Sequence, residues 1–175
     1  YALYPQMTVY NNISFPLTLN KYPLPIVNAV LKANAEIQSI LSTVPFNKFI
    51  GVLFNAFGTK SKYSEKEESV ANIFGITLKA AKLLCEVFNT YKQDSLETLN
   101  TKEAEIEQTI KEKLTLLVQN ENSVIREKGI KLNDDFCEID ENGNVKIESR
   151  KYTPYEIKTR VYEVAEKLDL VPYLD

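Results

Sequence analysis

Apolar residues recur at intervals of three and four along most of the chain, which is the spacing of one face of an α-helix. Residues 26–44 follow this spacing between Pro25 and Pro45. The phenylalanine-rich segment 46–57 comes next; it is apolar on nearly every side and ends at Gly58. We therefore predict two helices here, and Pro25 fits the first position of the earlier one.

A capping box marks the start of the next predicted helix. Ser64 and Glu67 have the spacing at which a hydroxyl and a carboxylate satisfy each other's free amides. Apolar residues then step by four and three to about Lys92, which predicts one long helix in the middle of a bundle. Residues 101–120 predict a further helix, and residues 124–130 predict a short one.

The pattern changes period near residue 136. Alternating side chains flank Asn142-Gly143 over residues 136–147, and this arrangement is the strongest short-range signal for a β-hairpin. A last helix follows, with Thr153 as its cap, Pro154 in its first turn and Glu156 completing a capping box.

Four prolines within the first 25 residues predict an extended, turn-rich start with at most a short helical turn at residues 9–15. The fold class expected from the whole pattern is mainly α: a helical bundle with one small β-hairpin.

Composition narrows the chemistry. Of 175 residues, 44% are hydrophobic and 26% are charged, which is typical of a globular protein. The absence of histidine excludes Ser-His-Asp and Cys-His catalysis and imidazole metal ligands. A pI of about 5.2 with dispersed basic residues argues against nucleic-acid binding. Two cysteines cannot form a four-ligand zinc site. We expect no catalytic residue, metal or cofactor within this chain.

Two separated segments resemble one known family. Residues 1–17 read YALYPQMTVYNNISFPL. This segment resembles the stretch just after the Q-loop in ATP-binding-cassette (ABC) ATPases of the sugar and glycerol-phosphate importer type. That stretch typically reads Y-A-L-Y-P-H-M-T-V, a variable residue, D or E, then N-I. Gln6 stands where the family usually has histidine, and Asn11 where it usually has an acid.

Residues 153–170, TPYEIKTRVYEVAEKLDL, resemble the family helix that follows and ends before the signature motif, and residues 173–175 continue the match. In the family only a few residues separate the two segments, whereas more than a hundred do so here. The resemblance thus implies that 1–24 and 149–175 are two halves of an ABC ATPase helical subdomain, and that 25–148 is a helical insertion ending in the β-hairpin.

The family's nucleotide-binding motifs are missing. The chain has no Walker A pattern G-x-x-x-x-G-K-[ST], no L-S-G-G-Q signature and no acidic Walker B strand. Because the chain also starts at Tyr1 rather than at methionine, we expect a segment of a longer polypeptide. The segment is not itself expected to be an enzyme; the resemblance implies that the parent is an ATP-hydrolysing transporter subunit that binds ATP and Mg²⁺.

The resemblance also implies a partner. In such importers the helical subdomain holds a groove that receives a short cytoplasmic helix of the permease, and nucleotide-driven closure of two ATPase subunits moves the groove. By position, Ala2 and Tyr4 would line one side, and Val161 and Val164 the other. The alternatives are core packing for the valines and turn packing for Tyr4. The implied location is peripheral, on the cytoplasmic face of the cell membrane.

The inserted segment has its own candidate surface. The phenylalanines of segment 46–57 are either core or a contact surface for lipid headgroups, the permease or another protein; they are Phe46, Phe49, Phe54 and Phe57. The alternative function is a free-standing helical scaffold or adaptor in which the match at residues 1–17 is coincidental. Binding of a small ligand between helices ranks last, because no convergent polar motif supports it.

Overall fold

A computed structural model describes residues 4–174, and this part of the chain is mainly helical, with 65% helix, as the sequence predicts. Two two-stranded antiparallel sheets accompany the helices in the described part. In chain order the elements are α1 (Val9–Leu19), β1 (Tyr22–Pro25), α2 (Ala29–Thr43), α3 (Phe46–Gly58), α4 (Tyr63–Phe74), α5 (Leu78–Phe88), α6 (Leu96–Thr101), α7 (Glu103–Lys128), β2 (Lys131–Leu132), β3 (Glu138–Ile139), β4 (Ile147–Arg150), α8 (Pro154–Lys167) and a 3₁₀ helix (Val171–Tyr173).

The chain forms two compact units. The outer unit combines residues up to 26 with residues from 146 onward, and the inner unit is the continuous stretch 27–145. The division expected from the sequence, with 1–24 and 149–175 as two halves and 25–148 as an insertion, stays a prediction. The descent of the outer unit from an ABC ATPase subdomain stays a prediction.

The outer unit is built on the packing of α1 against α8. Four buried residues form its core, and partly buried apolar residues of α1 pack against them. Thr8 caps α1, because its hydroxyl accepts a hydrogen bond from the Asn11 N–H at 3.2 Å. The helix continues past Pro16 to Leu19, so the short helical turn predicted at residues 9–15 is the first part of a longer helix. The core residues are Ile157, Val161, Ala165 and Leu174.

The strand pairing differs from the predicted hairpin. β4 pairs with β1 in antiparallel register, Tyr22 opposite Arg150 and Pro25 opposite Ile147. The Asn142-Gly143 turn does form, but behind it only Ile139 and Val145 bridge, and β3 pairs with β2 instead. The sequence pattern missed β1, because the prolines that favour an extended chain there also mask a strand.

In the inner unit, α2 packs against α5 and α7, α3 packs against α4 and α6, and α4 packs against α5. The buried side chains of these helices form one continuous set of large apolar residues, including Ile37, Phe49, Leu53, Leu84, Phe88 and Ile106. Among residues 4–174, no helix has the length and apolar character needed to cross a bilayer.

The long helix predicted up to Lys92 is wrong, because it is two helices. Gly75 adopts a left-handed backbone conformation, φ 64°, and ends α4. Thr77 then caps α5: its hydroxyl accepts from the Ala80 N–H, and its own N–H and hydroxyl donate to the Glu36 carboxylate at 2.9 and 2.6 Å. Apolar residues keep the helical spacing across this break, so the sequence pattern does not reveal it.

Three further boundaries are corrected. Asn28, not Pro25, starts α2, because its side chain accepts a hydrogen bond from the Leu31 N–H at 3.0 Å while Pro25 ends β1. Lys62 rather than Ser64 precedes α4, and its N–H donates to Glu65 at 3.2 Å. The short helix predicted at 124–130 is the end of α7.

The start of α8 matches its sequence signature. Thr153 accepts from the Glu156 N–H, Glu156 accepts from the Thr153 N–H at 2.7 Å, and Pro154 occupies the first turn. The predicted final helix is therefore confirmed.

Candidate functional site

Helices α1 and α8 lie side by side in the outer unit. Val9, Tyr10 and Ile13 of α1 pack on the core that α8 supplies. The Tyr10 N–H also donates to the Leu174 carbonyl at 3.3 Å, which joins the start of α1 to the end of the chain. Contacts between residues so distant in sequence fix the relative position of the two segments.

The side chain of Asn12 holds the residues that precede α1. Its Oδ1 accepts from the Tyr4 N–H at 2.8 Å, and its Nδ2 donates to the Tyr4 carbonyl at 3.1 Å. The same Nδ2 lies within hydrogen-bond distance of the Met7 and Thr8 carbonyls, at 3.2 and 3.1 Å. Sequence reasoning did not single out Asn12, although its position matches the asparagine of the N-I pair in the resemblance described above.

Tyr4 is positioned with its side chain partly in solvent. Its ring meets the ring of Phe15 edge-on, with centroids 5.5 Å apart and an interplanar angle of 74°, and the residue is 39% exposed. This edge-on geometry is a favourable one for aromatic pairs. Tyr4 therefore contacts α1 with one side and presents the rest to solvent. Ala2, the other expected residue on this side, lies outside the described residues.

The two valines of α8 have different surroundings. Val161 is completely buried in the core of the outer unit, whereas Val164, less than one turn further on, is 39% exposed. In this conformation Val161 offers no surface to a partner, so the core alternative weighed for it describes its position. Of the three groove candidates that lie within residues 4–174, Val164 and Tyr4 present surface; their contact with a permease stays a prediction.

The four phenylalanines of α3 also differ in how deeply they are buried. Phe49 is 1% exposed and packs beside Phe74, at a centroid distance of 5.9 Å, and it therefore belongs to the core. Phe57 is half-buried: its ring packs on Phe88 at 4.9 Å, and the Lys66 ammonium lies 5.2 Å from its centroid. The core alternative thus accounts for these two residues.

Phe46 and Phe54 are half-buried. Phe46 lies 6.0 Å from Phe49 by ring centroid. Any contact of α3 with a membrane surface or another protein stays a prediction, and it would depend on Phe46 and Phe54 more than on Phe49.

An ion pair fixes the start of α8. Arg150 donates two hydrogen bonds to the Glu156 carboxylate, and its Nε lies 3.2 Å from Glu148. These bonds from Arg150, followed by those from Thr153, lower the pKa of Glu156 to about 2. The carboxylate is thus ionised at all physiological pH values and combines helix capping with a tie to β4.

Aromatic stacking supports the same region. The rings of Tyr22 in β1 and Tyr152 lie 4.6 Å apart in a stacked arrangement. The Arg160 guanidinium lies 4.4 Å from the Tyr152 centroid, within the range of a cation–π interaction. These contacts, together with the Arg150–Glu156 ion pair, join α8 to the β1–β4 pair.

The inner unit contains one buried acid near a buried thiol. Glu67 is 8% exposed, and its burial, with Glu86 and Glu68 nearby, raises the pKa of its carboxyl despite Lys82. Burial likewise raises the pKa of Cys85 to about 12, with smaller contributions from Glu67 and Glu86. A thiol that stays protonated is a poor nucleophile.

Metal chemistry finds no support in the described residues. Between residues 4 and 174, no group of three or more aspartate, glutamate or cysteine side chains is placed to hold a metal ion. Asp140, the central acid of the hairpin turn, already accepts hydrogen bonds from the N–H groups of Asn142 and Asn144 at 2.9 and 2.8 Å.

Comparison with protein-family models, with curated proteins and with solved structures gives no match to this chain.

Proposed function

We propose that the chain is part of the ATP-binding subunit of a sugar-type ABC importer, where its outer unit couples ATP hydrolysis to the permease and its inner unit is an inserted helical interaction module. The observation that carries this proposal is the packing of α1 on α8 around Val161 and Ala165. These are the two segments whose sequences resemble consecutive parts of the family's helical subdomain.

The packing is informative because the two segments are far apart in the chain. A chance likeness of two short motifs gives no reason for them to share one core. A subdomain interrupted by an insertion requires it, and insertions are tolerated where the chain enters and leaves at neighbouring points. The pairing of Pro25 with Ile147 in the β1–β4 register gives such neighbouring points.

The coupling role needs exposed apolar surface beside a fixed framework. Tyr4 and Val164 are each 39% exposed, and each belongs to a segment tied to the outer core. A short permease helix would rest on such side chains, because helix-in-groove recognition relies on apolar anchors. In this proposal ATP and Mg²⁺ bind elsewhere in the parent polypeptide, and a second ATPase subunit completes the assembly.

The proposal puts the parent protein at the cytoplasmic face of the cell membrane as a peripheral subunit. The inner unit would then lie near lipid headgroups, the permease or a further protein. Half-buried Phe46 and Phe54 on α3 are its most suitable apolar contacts. Loss of membrane association on changing both to serine, with the fold retained, would support that part of the proposal.

The decisive experiment uses the complete reading frame that contains this chain. We expect Mg²⁺-dependent ATP hydrolysis, with a Walker A motif upstream and a signature motif downstream. A photo-crosslinking amino acid at position 164 should capture a cytoplasmic loop of a multi-spanning permease. The same amino acid at Glu166, which is also exposed on α8, is the matched control.

A reading frame without these motifs, together with no permease crosslink at position 164, would overturn the proposal. That result would favour the free-standing scaffold or adaptor.

A further inference from the structure

The register of the β1–β4 pair determines which opposed residues exchange backbone hydrogen bonds. In an antiparallel pair, opposed residues alternate between those that exchange hydrogen bonds with each other and those whose N–H and C=O groups point away. The Ile26 N–H donates to the Lys146 carbonyl at 3.1 Å, so these two residues belong to the bonded set. The register carries the bonded set to Leu24 opposite Glu148, two residues further along.

The prolines of β1 occupy the other set. Pro23 lies opposite Ser149 and Pro25 opposite Ile147. Proline has no N–H to donate, so it fits only where no ladder bond is needed. The backbone N–H and C=O groups of Ile147 and Ser149 therefore point away from β1, toward the far edge of β4. Within residues 4–174, neither the Ile147 N–H nor the Ser149 N–H donates a hydrogen bond to a backbone group outside the β1–β4 pair.

The two edges of this small sheet are consequently unlike. The outer edge of β1 presents two prolines, which block the addition of a strand. The outer edge of β4 presents donors and acceptors in regular alternation. Residues 145–149 are all exposed, and Ile147 is 54% exposed. An open strand edge of this kind accepts an extended chain by backbone pairing.

We propose that the edge of β4 pairs with β4 of a second copy of this chain. The strands run antiparallel, and the two-fold axis passes between the two Ser149 residues. Ser149 of each copy exchanges two backbone hydrogen bonds with the other, and Ile147 lies opposite Lys151 of the second copy. The aliphatic part of that lysine covers the exposed isoleucine.

Charge complementarity selects this register. With Ser149 opposite Ser149, Glu148 of each copy lies opposite Arg150 of the other, which is favourable for a cross-strand pair. Arg150 already contacts Glu148 of its own strand at 3.2 Å, so the four charges alternate in sign around the axis. A slip of one residue would put the wrong backbone groups together.

The neighbouring registers in the same phase bring like charges together. A slip of two residues one way places Glu148 opposite Glu148, and the other way places Arg150 opposite Arg150. Like charges directly opposite each other destabilise a strand pair. The sequence of β4 thus suits self-pairing in one register and opposes the adjacent ones.

The interface is small, and the association is therefore weak. A pair of four-residue strands buries far less than the roughly 1,600 Å² of a standard stable interface. We expect a dimer that forms at high micromolar protein concentration and dissociates readily. It involves a strand edge alone and is independent of the transport function proposed above.

The first test is sedimentation of the purified 175-residue chain at concentrations up to about 1 mM. We expect reversible dimerisation that Glu148→Lys weakens at least about tenfold, because each introduced ammonium group then faces Arg150 of the other copy. The matched control is Glu141→Lys, an exposed residue of the hairpin turn with the same change in charge. A wild-type chain that stays monomeric throughout, or equal effects of the two variants, would refute the proposal.

The second test reports the symmetry axis. In a Cys137→Ser background, Ser149→Cys should form a disulfide-linked dimer under mild oxidation about tenfold faster than Ser123→Cys, an exposed position on α7. Cys85 is buried and does not compete. Equal crosslinking rates at positions 149 and 123 would count against an axis at Ser149, even if a dimer exists. Circular dichroism verifies that each variant is folded.

Discussion

The guanidinium of Arg150 and the carboxylate of Glu156 meet in a two-bond geometry, with Nη2–Oε1 at 2.7 Å and Nη1–Oε2 at 2.8 Å. Because Glu156 also accepts from the Thr153 N–H, one carboxylate both caps α8 and ties it to β4. Bidentate pairs of this type are among the stronger ionic contacts of proteins. This contribution to the position of α8 depends on the charge of Glu156.

This dependence predicts a loss of stability in acid. The pKa of Glu156 is about 2 in the folded protein, below its ordinary value of 4.5. Its ionised form therefore stabilises the fold above about pH 4.5, and this contribution disappears as the pH falls toward 2. With allowance for solvent screening, Glu156→Gln should cost about 1 kcal/mol at pH 7. Urea unfolding from about pH 7 to about pH 2.5 should show the gap between wild type and variant closing.

Glu163→Gln is the matched control, since Glu163 is exposed on the same helix. A gap of constant size across the pH range would show that the Arg150–Glu156 pair does not act through charge.

Asn12 is expected to hold Tyr4 in place. Asn12→Ala removes its hydrogen bonds to the backbone of residues 4–8 and should lower stability by about 1 kcal/mol. Hydrogen exchange at the Tyr4 and Met7 amides should accelerate, because both are held within this network. Asn11→Ala changes the neighbouring exposed asparagine and should leave exchange at Tyr4 unchanged. Similar exchange in both variants would contradict the assigned role.

Glu67 is expected to reduce stability at neutral pH. Burial raises the pKa of its carboxyl, so the folded state favours the protonated form and loses stability as the pH rises through that pKa. Glu67→Gln should therefore be more stable than wild type at pH 7, by about 1 kcal/mol, and equal to it below about pH 4. Thermal unfolding at both pH values measures this difference. Glu141→Gln, an exposed change, should show no such pH-dependent gain.

The two cysteines should react differently. Cys85 is completely buried and burial raises its pKa to about 12, whereas Cys137 is half-buried. A thiol reagent at about pH 8 should modify Cys137 in the folded chain and Cys85 only after unfolding in guanidinium. In Cys137→Ser the folded chain should give no rapid reaction. Fast labelling of Cys85 in that variant would mean that the α4–α5 region opens far more often than its packing implies.

Removal of the inner unit should leave a folded outer unit. Ile26 and Lys146 are hydrogen-bonded at 3.1 Å, so an Asn-Gly turn can replace residues 27–145 without moving either. We expect a helical product of marginal stability, because domains of about 60 residues bury comparatively little surface. Amide protection of Tyr10, which bonds Leu174, is the measurement. An unprotected Tyr10 amide at low temperature would show that the outer unit needs the inner unit to fold.

The sequence predicted those parts of the fold that depend on local signals. The cap, the proline and the acid at the start of α8 all act within four residues, and the structure has them as expected. The break after Gly75 was missed because the apolar spacing continues across it and because Glu36, which accepts hydrogen bonds from Thr77 at the start of α5, is distant in sequence. The β1–β4 pairing was missed for the same reason: each strand alone has too weak a signal.

For the candidate site, too, the sequence predicted what depends on local spacing and missed what depends on distant contacts. Helical spacing places Val161 and Val164 on one helix, but it does not say which of them faces the core; the packing of Ile13 and Leu17 from α1 decides that. The hydrogen bonds from the Asn12 side chain to the backbone of Tyr4 and Met7 likewise depend on where the chain before α1 turns back. A pattern of residue types does not specify the path of the backbone in that turn.

The way the inner unit ends has a consequence for the order of folding. Val27 bridges to Cys137 and Val145 bridges to Ile139, so both termini of that unit attach to one three-residue stretch. Once the unit has folded, the long chain between α1 and α8 behaves as a short loop, and the entropy lost in joining these helices falls accordingly. During synthesis α1 emerges first, and its partner helix follows only after the whole inner unit. Early folding of the inner unit would therefore lower the entropy cost of packing α1 against α8.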